Sequence, residues 1–392
     1  MIARAICEEA FREAVIACDP AVRVRDALGK LADRLAGRER IGIAIGKAAF
    51  AMARGAGPVA RGVAVSNADD GRELPEGWTK LVASHPVPDE RSLEAGDAVI
   101  DLVASARPED EILALISGGA SALVERLAPG VTLEQQHAQI GAVMASGAKI
   151  GEINRARIAL SAIKGGKLAA MSEAPITTLA ISDVFDNDLA VIGSGPTIAG
   201  EGQPWRPGDY ARVIAPIETF ARAVCQALFR VGVARRYFGN LDREIEPTGP
   251  VDDVATTAAA LFDANVATFW GQRAVGRPAV AWGEPTLALP KHHGEGGRAQ
   301  QLALELAKRM RGTWDSAFIA GSDGIDGPPP HGRPAPAGAY VDGSTWDAIV
   351  AAGIDPDRAL ARCDAGPALE AVGALVITGP TGINFADVMI IG

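Results

Sequence analysis

The sequence contains few of the features that mark secreted, membrane or nucleic-acid-binding proteins. Its 392 residues include four cysteines, and no two of them form a Cys-x-x-Cys pair. This spacing does not suggest a zinc site, so we expect buried thiols in a reducing cytoplasm. Aromatic residues make up only 5% of the chain. The core must therefore consist mainly of Ala, Val, Leu and Ile.

Basic charge and long apolar runs are also missing. The formal net charge of −10 argues against nucleic-acid and membrane-surface partners, because both need a basic patch. No apolar run approaches the ~20 residues of a membrane-spanning helix, and the amphipathic start, with its acidic residues, is unlike a signal peptide. The composition predicts a cytoplasmic protein with small-molecule partners. A local cluster of cations and backbone N–H groups can still bind an anionic substrate.

The chain does contain a series of short apolar runs, each followed by polar or glycine-containing residues. The clearest runs are 41–47, 61–67, 111–119, 177–183, 278–284, 317–324 and 374–380. Helical patterns lie between several of them, at 93–106, 133–150 and 298–310. Strands that alternate with helices predict an α/β protein with a largely parallel sheet covered on both faces.

The length of the chain predicts two domains rather than one. The segment 239–253 is the best boundary, so we place an N-terminal domain at 1–240 and a smaller C-terminal α/β domain at 250–392. Two segments rich in Gly and Pro, 199–217 and 328–336, are predicted to be loops.

Polar residues cluster directly after the apolar runs, at the carboxyl ends of the predicted strands. They are Gly46-Lys47, Ser66-Asn67, Ser117-Gly118-Gly119, Ser182-Asp183, Gly283-Glu284, Ser322-Asp323 and the stretch 378–382. Ligands of open parallel α/β sheets bind outside these ends, so the set predicts one polar site. Each member alone is also explained by the ordinary chemistry of turns.

Two of these features favour an anion. Ser117, Gly118 and Gly119 precede a helix expected to begin at about Ser121. This Ser-Gly-Gly stretch forms either an anion site or a tight turn with Ser121 as the N-cap of the helix. Lys47 and Arg298 both stand at expected helix starts, where the helix dipole disfavours a cation unless an anion binds. The run before Lys47 is not a P-loop. Compared with the motif G-x-x-x-x-G-K-S/T, it has one residue too few between the two glycines, and Ala48 stands where the motif has Ser or Thr.

Basic and acidic segments complete the set of candidates. Lys164 and its neighbours surround Gly165-Gly166, which fits either a phosphate-contacting turn or a solvated helix face with a glycine cap. Aspartates 183, 186, 188, 323 and 326 follow predicted strands. Such acids hold Mg²⁺, act as general bases, or simply form turns. No G-x-G-x-x-G occurs in the chain, so the standard dinucleotide fingerprint is absent.

Taken together, these motifs resemble those of the MOFRL-type (class II) glycerate 2-kinases. The motifs that carry the resemblance are IGIAIGKAA, HPVPDE, LISGGASAL, SGAKIGEIN, RIALSAIKGGKLA, ISDVFDNDLAVIGSGPT, GEPT, GEGGRAQ, SDGIDG, AGAYVDG and TGPTGINFAD. They are spread over residues 41–387 in the family order.

The resemblance implies a larger Rossmann-like parallel-sheet domain and a smaller α/β domain. It implies an ATP-dependent, Mg²⁺-requiring kinase that phosphorylates the 2-hydroxyl of D-glycerate. A homodimer is the assembly we consider. Matched motif by motif, the resemblance implies that the catalytic residues are Lys47, Arg298, Asp183 and Asp326, with Asp183 also the metal ligand. The implied nucleotide-binding residues are Ser117, Gly118, Gly119, Ser121, Ser194, Gly195 and Thr197. The implied substrate-binding residues are Asn154, Arg157, Lys164 and Asp323.

The sequence departs from the family pattern in ways that bear on the substrate more than on the reaction type. The family usually has glycine at Ala120, polar residues at Ile158 and Ala159, asparagine at Ala299 and an acidic residue at Gln301, and it lacks the Pro-rich 328–336 segment. A related hydroxy acid as substrate, a hydroxypyruvate reductase and a non-catalytic paralogue are the alternatives. If a third close backbone approach is needed at Ala120, then Ala120→Gly should tighten phosphate binding.

Overall fold

The structure is a computed structural model that describes residues 1–146, 150–184, 186–200, 204–230, 253–261, 279–328 and 334–392. These residues form two compact units. The central unit is Asp19–Ile217, and the terminal unit combines Met1–Cys18 with Glu218–Gly392. The boundary predicted between residues 240 and 250 lies outside the described residues.

The central unit contains a six-stranded, entirely parallel sheet. Its strands are β1 (Arg40–Ile45), β2 (Arg61–Ser66), β3 (Trp78–Val82), β4 (Glu111–Ile116), β5 (Ile176–Ile181) and β6 (Tyr210–Ala215). Their order, β3-β2-β1-β4-β5-β6, is that of the Rossmann fold. The predicted parallel α/β architecture is confirmed for this unit.

The apolar runs of this sheet explain its position in the core. Every residue of β4 and β5 is buried, as expected for parallel strands that are covered on both faces. The helices of the unit are α2 (Pro20–Lys30), α3 (Ala32–Leu35), α4 (Ala49–Ala56), α5 (Glu90–Ala104), α6 (Ala120–Leu123), α7 (Leu133–Ala145) and α8 (Ile150–Ala159). The strand order reverses between β1 and β4, and the residues that follow these two strands are therefore adjacent.

The terminal unit contains a five-stranded sheet in which every neighbouring pair is antiparallel. Its strands are β7 (Ala279–Gly283), β8 (Ser316–Ala320), β9 (Gly338–Asp342), β10 (Leu375–Val376) and β11 (Asp387–Ile391), in the order β10-β9-β8-β11-β7. Its helices are α1 (Arg4–Ala17), α9 (Thr219–Arg230), a segment at 254–261, α10 (Arg298–Arg309), α11 (Thr345–Ala351), α12 (Pro356–Ala361) and α13 (Ala365–Glu370).

The antiparallel sheet corrects the prediction of a largely parallel one. The unit β7–α10–β8 does have the predicted strand–helix–strand order, but β11 inserts between the two strands and runs against both. The 199–217 segment, predicted as a loop, contains β6. Residues 201–203 and 329–333 of the two predicted loops lie outside the described residues.

Two further expectations concern the cysteines and the helices. Cys7, Cys18 and Cys225 are buried free thiols, and Cys363 is half-buried. Burial raises the pKa of Cys7 to about 12, so this thiol stays protonated. In the described parts of the chain, every helix is too short or too polar to cross a bilayer.

Candidate active site

The loops that follow β1 and β4 hold each other in place at the point where the strand order reverses. The Lys47 N–H donates to the Gly118 carbonyl at 2.9 Å, and the Ala48 N–H donates to the Ser117 hydroxyl at 3.1 Å. Gly46 has φ +132°, and a Cβ there would collide with Ser117 Oγ. Glycine is therefore required, and Lys47 is fixed directly beside the Ser-Gly-Gly turn.

Gly119 brings a third residue into this place. Its φ is +86°, and a Cβ on it would lie 3.0 Å from Cδ2 of His85 and 3.3 Å from Cγ of Lys47. The absent side chain thus lets an imidazole edge and a lysine stem approach the same stretch of backbone. Sequence reasoning missed His85, which follows the short edge strand β3; the HPVPDE motif was the only signal for it.

His85 is held neutral by its surroundings. Burial lowers its pKa to about 4, and the charges of Lys47 and Arg157 act in the same direction. Arg157, on α8, is itself half-buried, and burial lowers its pKa too. An uncharged imidazole therefore lies in an electropositive site.

The lowered pKa of His85 predicts that acid weakens the fold. The unfolded chain protonates this imidazole near its ordinary pKa of about 6.5, whereas the folded state holds it neutral down to about 4. The unfolded state therefore binds more protons between these values, and stability falls as the pH drops from 6.5 towards 4. We expect His85→Gln to flatten a plot of thermal midpoint against pH in this range. Identical slopes for the two proteins would contradict this.

The helix after the Ser-Gly-Gly turn differs from both sequence interpretations. It has only four residues, Ala120–Leu123, so its dipole adds little to anion binding, and its N-cap is Gly119 rather than Ser121. Ser121 Oγ instead forms a 2.8 Å hydrogen bond with Ser194 Oγ. The structure therefore joins two of the predicted nucleotide-binding residues.

The glycine pair at 165–166 binds protein rather than leaving N–H groups for phosphate. Gly165 N–H donates to the Ser194 carbonyl at 2.9 Å, and Gly166 N–H donates to the Gly195 carbonyl at 2.7 Å. Thr197 Oγ1 lies 2.9 Å from Thr178 Oγ1 in the interior. These contacts fix the loop that carries Ser194, Gly195 and Thr197; their nucleotide contacts stay a prediction.

The basic segment contributes side chains with different surroundings. Lys164 is fully buried and forms an ion pair with Glu125, whose carboxylate also accepts from Ser161 Oγ and from Gln136 Nε2, both at 2.6 Å. The Lys164 ammonium binds Glu125 in the protein interior. This burial does not favour the predicted contact between Lys164 and the substrate.

Two other residues of this segment hold neighbouring backbone. Lys167 donates to the carbonyls of Ile158 and Ser161 at 2.7 and 2.6 Å, close to the end of α8. Asn154 Nδ2 donates to the Ala190 carbonyl at 3.2 Å. Of the predicted substrate-binding residues in this segment, Arg157 is the one that faces His85.

Asp183 lies where the sequence predicted it, two residues past the carboxyl end of β5, and it is half-buried. Among the residues that the structure describes, no three His, Cys, Asp or Glu side chains converge as a metal site. Mg²⁺ commonly binds through one or two carboxylates together with substrate phosphates. A single carboxylate such as Asp183 fits a site of this kind, in which substrate phosphates supply the other ligands.

The terminal unit carries a second charged cluster, centred on Arg298 at the first position of α10. Its guanidinium contacts Glu284 Oε2 at 2.9 Å and Asp387 Oδ2 at 3.7 Å. Burial raises the pKa of Asp387 well above its ordinary value. The positive charge of Arg298 lowers this pKa, whereas the negative charges of Asp326, Glu284 and Asp323 raise it further. The cluster thus pairs one half-exposed cation with several acids.

Asp326 holds the helix that carries Arg298. Its carboxylate accepts from the backbone N–H of Ala299 at 3.0 Å and of Gln300 at 2.8 Å, and from Gln300 Nε2 at 2.9 Å. It therefore caps the start of α10, where a negative charge is favourable. This contact assigns Asp326 to positioning Arg298, and its direct catalytic role stays a prediction. Asp323 accepts from the Ile325 N–H at 3.0 Å, within the same loop.

The close approach of Asp326 explains the glycine before Arg298 and gives a stability prediction. Gly297 has extended dihedrals that any residue adopts, but a Cβ there would collide with Asp326 Oδ1. We expect Gly297→Ala to lower the free energy of unfolding by about 1–3 kcal/mol, as overpacking does, in urea denaturation. Gly29→Ala is the matched control, because nothing lies within 4 Å of its added methyl. Equal effects of the two substitutions would refute the explanation.

Three departures from the family pattern point inward. Ala120 is 3% exposed, and a Cβ built on Gly193 would lie 2.8 Å from its methyl. Ala299 is fully buried, and Gln301 donates to the Leu360 carbonyl at 2.8 Å. The Ala120 methyl is part of the core, so the expected gain in phosphate binding from Ala120→Gly loses its structural basis.

Comparison with known proteins assigns the chain to a family. A domain of unknown function, DUF4147, matches residues 6–223, and the MOFRL family matches residues 278–387. A D-glycerate 2-kinase of Thermotoga maritima is 33% identical over 422 aligned positions, which cover 97% of this chain and 96% of that protein. The chain belongs to the MOFRL-type glycerate 2-kinase family.

Other members of this glycerate 2-kinase family agree in sequence and in structure. The crystal structure of a glycerate kinase from T. maritima superposes with a TM-score of 0.82 at 29% identity, covering 99% of this chain and 98% of that chain. A protein of Agrobacterium vitis with a provisional hydroxypyruvate reductase name is 35% identical, covering 88% of this chain and 97% of its own length.

Proposed function

We propose that this chain is an ATP-dependent kinase that phosphorylates the 2-hydroxyl of D-glycerate to give 2-phosphoglycerate and ADP. The observation that carries the proposal is the convergence of Lys47, His85 and Gly119 at the β1–β4 reversal of a Rossmann-ordered sheet. This is the expected ligand position in such sheets. The family membership supports the same reaction.

The chemistry of phosphoryl transfer suits these residues. The protein's task is to position two reactants and to stabilise the charge on the transferring group. In this proposal Lys47 and Arg298 supply positive charge to the phosphates, and the Ser117–Gly119 turn approaches them with its backbone. Arg157 binds the substrate carboxylate, while Asp326 and Glu125 position cations.

The nucleotide and the metal complete the proposal. Ser121, Ser194 and Gly195 lie together around one loop and form the nucleotide-binding side. Asp183 would hold Mg²⁺ with the phosphates, and Mg²⁺ supplies charge neutralisation there. We further propose that the enzyme acts in cytoplasmic carbohydrate metabolism, with a homodimer as the first assembly to test.

The decisive experiment measures ADP release across a panel of 2-hydroxy acids, with phosphorus NMR of the product to locate the phosphate. We expect D-glycerate to give the highest kcat/KM and the phosphate to lie on the 2-hydroxyl. No turnover with any acid, while ATP still binds, would exclude a kinase. Oxidation of NADH or NADPH by hydroxypyruvate would support a reductase instead, although the turn after β1 lacks the dinucleotide fingerprint.

A further inference from the structure

The most informative group outside the predicted set is the imidazole of His85. Its ring edge, formed by Cδ2 and Nε2, lies 3.0 and 3.2 Å from the point that a Gly119 Cβ would occupy. Lys47 Cγ lies 3.3 Å from the same point. A glycine, a lysine and a histidine from three different loops thus meet at one position beside the Ser-Gly-Gly turn.

The hydrogen-bonding capacity of this imidazole is unused by the protein. In the described part of the chain, neither ring nitrogen of His85 has a hydrogen-bond partner, and solvent reaches both. Two other described histidines differ: His137 Nε2 lies 2.8 Å from the Pro88 carbonyl, and His293 Nδ1 lies 2.9 Å from the Gly294 carbonyl. A structural histidine usually has such a partner, so this one is available to a ligand.

The charges around the imidazole select the kind of ligand. Lys47 on the loop after β1 and Arg157 on α8 are the charged groups that act on His85. Two cations beside an uncharged acceptor suit a molecule that carries an anionic group and a hydroxyl close together. A 2-hydroxy carboxylate has both on adjacent carbons.

We propose that His85 is a catalytic residue that binds the acceptor hydroxyl of the hydroxy acid and takes its proton during phosphoryl transfer. This inference rests on the proposed kinase function. As the hydroxyl oxygen forms its bond to the γ-phosphorus of ATP, its O–H bond breaks and the proton passes to Nε2. The bond from phosphorus to the bridging oxygen breaks, and that electron pair leaves with ADP. The imidazolium then releases its proton to water.

The surroundings of His85 adjust its basicity to the presence of substrate. Without a ligand, burial and the two cations keep the ring neutral, so its lone pair is available throughout the physiological range. Anionic substrate offsets the effect of Lys47 and Arg157, and the pKa of His85 then rises towards its ordinary value. The imidazole becomes a better proton acceptor when the hydroxyl is in place.

The test compares His85→Gln with His292→Gln, a control that removes an exposed imidazole in the terminal unit. We expect His85→Gln to lower kcat for D-glycerate by about 100-fold, with a much smaller change in KM. The wild-type kcat should rise with pH through an apparent pKa between about 4 and 6.5, and the variant should lose this step. A kcat within threefold of wild type, or an unchanged pH profile, would overturn the proposal.

A second measurement separates this inference from the proposed function. Imidazole ¹H–¹⁵N NMR of the wild type follows the titration of His85 with and without D-glycerate, and with inorganic phosphate. We expect either anion to raise the pKa of His85. If the enzyme phosphorylates glycerate but the His85 titration does not move, the kinase function stands and the role of His85 is refuted. If no hydroxy acid is phosphorylated, the kinase function fails, and His85 as its catalytic residue fails with it.

Discussion

Lys164→Met is expected to lower the free energy of unfolding by about 3–5 kcal/mol, because it leaves the buried carboxylate of Glu125 without its cation. Lys164 and Glu125 are both almost completely buried, and within the described ranges the remaining hydrogen-bond donors to Glu125 are neutral, while Arg157 acts on it only through its charge, without a hydrogen bond. An isolated buried charge costs far more than the ion pair contributes. Urea denaturation followed by circular dichroism measures the loss.

The double variant Glu125→Gln with Lys164→Met is the control for this interpretation. It removes both charges and keeps one side-chain oxygen, which can accept from Ser161 Oγ, while the Gln136 amide must rotate because the second oxygen of Glu125, to which it donates, becomes an NH2 group. We expect it to be more stable than Lys164→Met alone, since no uncompensated charge remains. The explanation fails if the single variant loses less than about 1 kcal/mol, or if the second substitution adds to the loss.

Lys47→Met is expected to lower kcat/KM for glycerate phosphorylation by roughly 100- to 1,000-fold, the usual effect of removing one charge-stabilising group from a reacting centre. Its backbone bond to Gly118 does not depend on the side chain, so the loop should keep its conformation. The coupled ADP-release assay measures the change, and a thermal midpoint near that of the wild type excludes unfolding as its cause.

A matched lysine shows whether the effect is local. Lys30 is exposed at the end of α2, and Lys30→Met removes the same charge from the same unit. We expect its kcat/KM to stay within about twofold of wild type, because solvent and salt screen the charge of an exposed lysine. Comparable losses in the two variants would mean that net charge, not the position of Lys47, governs the rate.

The sequence predicted the central sheet well because its physical signal is local. The runs around Ile43, Ala114 and Leu179 are nearly continuously apolar, as is typical of parallel strands buried on both faces. The polar residues that follow them were predictable for the same reason. The sequence could not show how the loops interlock, because the contact between Gly46 and Ser117 joins positions some 70 residues apart.

Some residues were missed or reassigned because their roles depend on contacts between distant parts of the chain and not on the local apolar pattern. Asp387 begins β11, and it reaches the carboxyl ends of β7 and β8 only because β11 runs antiparallel between them. A search after predicted strands does not find a residue that begins one. Lys164 and Arg157 lie seven residues apart in one basic segment, and only the position of Glu125 makes the first a buried ion-pair partner.

The assignment of α1 to the terminal unit has a consequence for synthesis on the ribosome. Phe11 of α1 packs edge-to-face against Phe220 and at a tilt against Phe318, with ring centroids 5.1 and 5.8 Å away. Phe220 emerges about 200 residues after α1 and Phe318 about 300 residues after it, which at about 5–20 residues per second is a delay of about 10–60 s. The apolar face of α1 stays uncovered for that time while the contiguous central unit folds. This nascent helix is therefore the segment that a ribosome-associated chaperone would be expected to bind first.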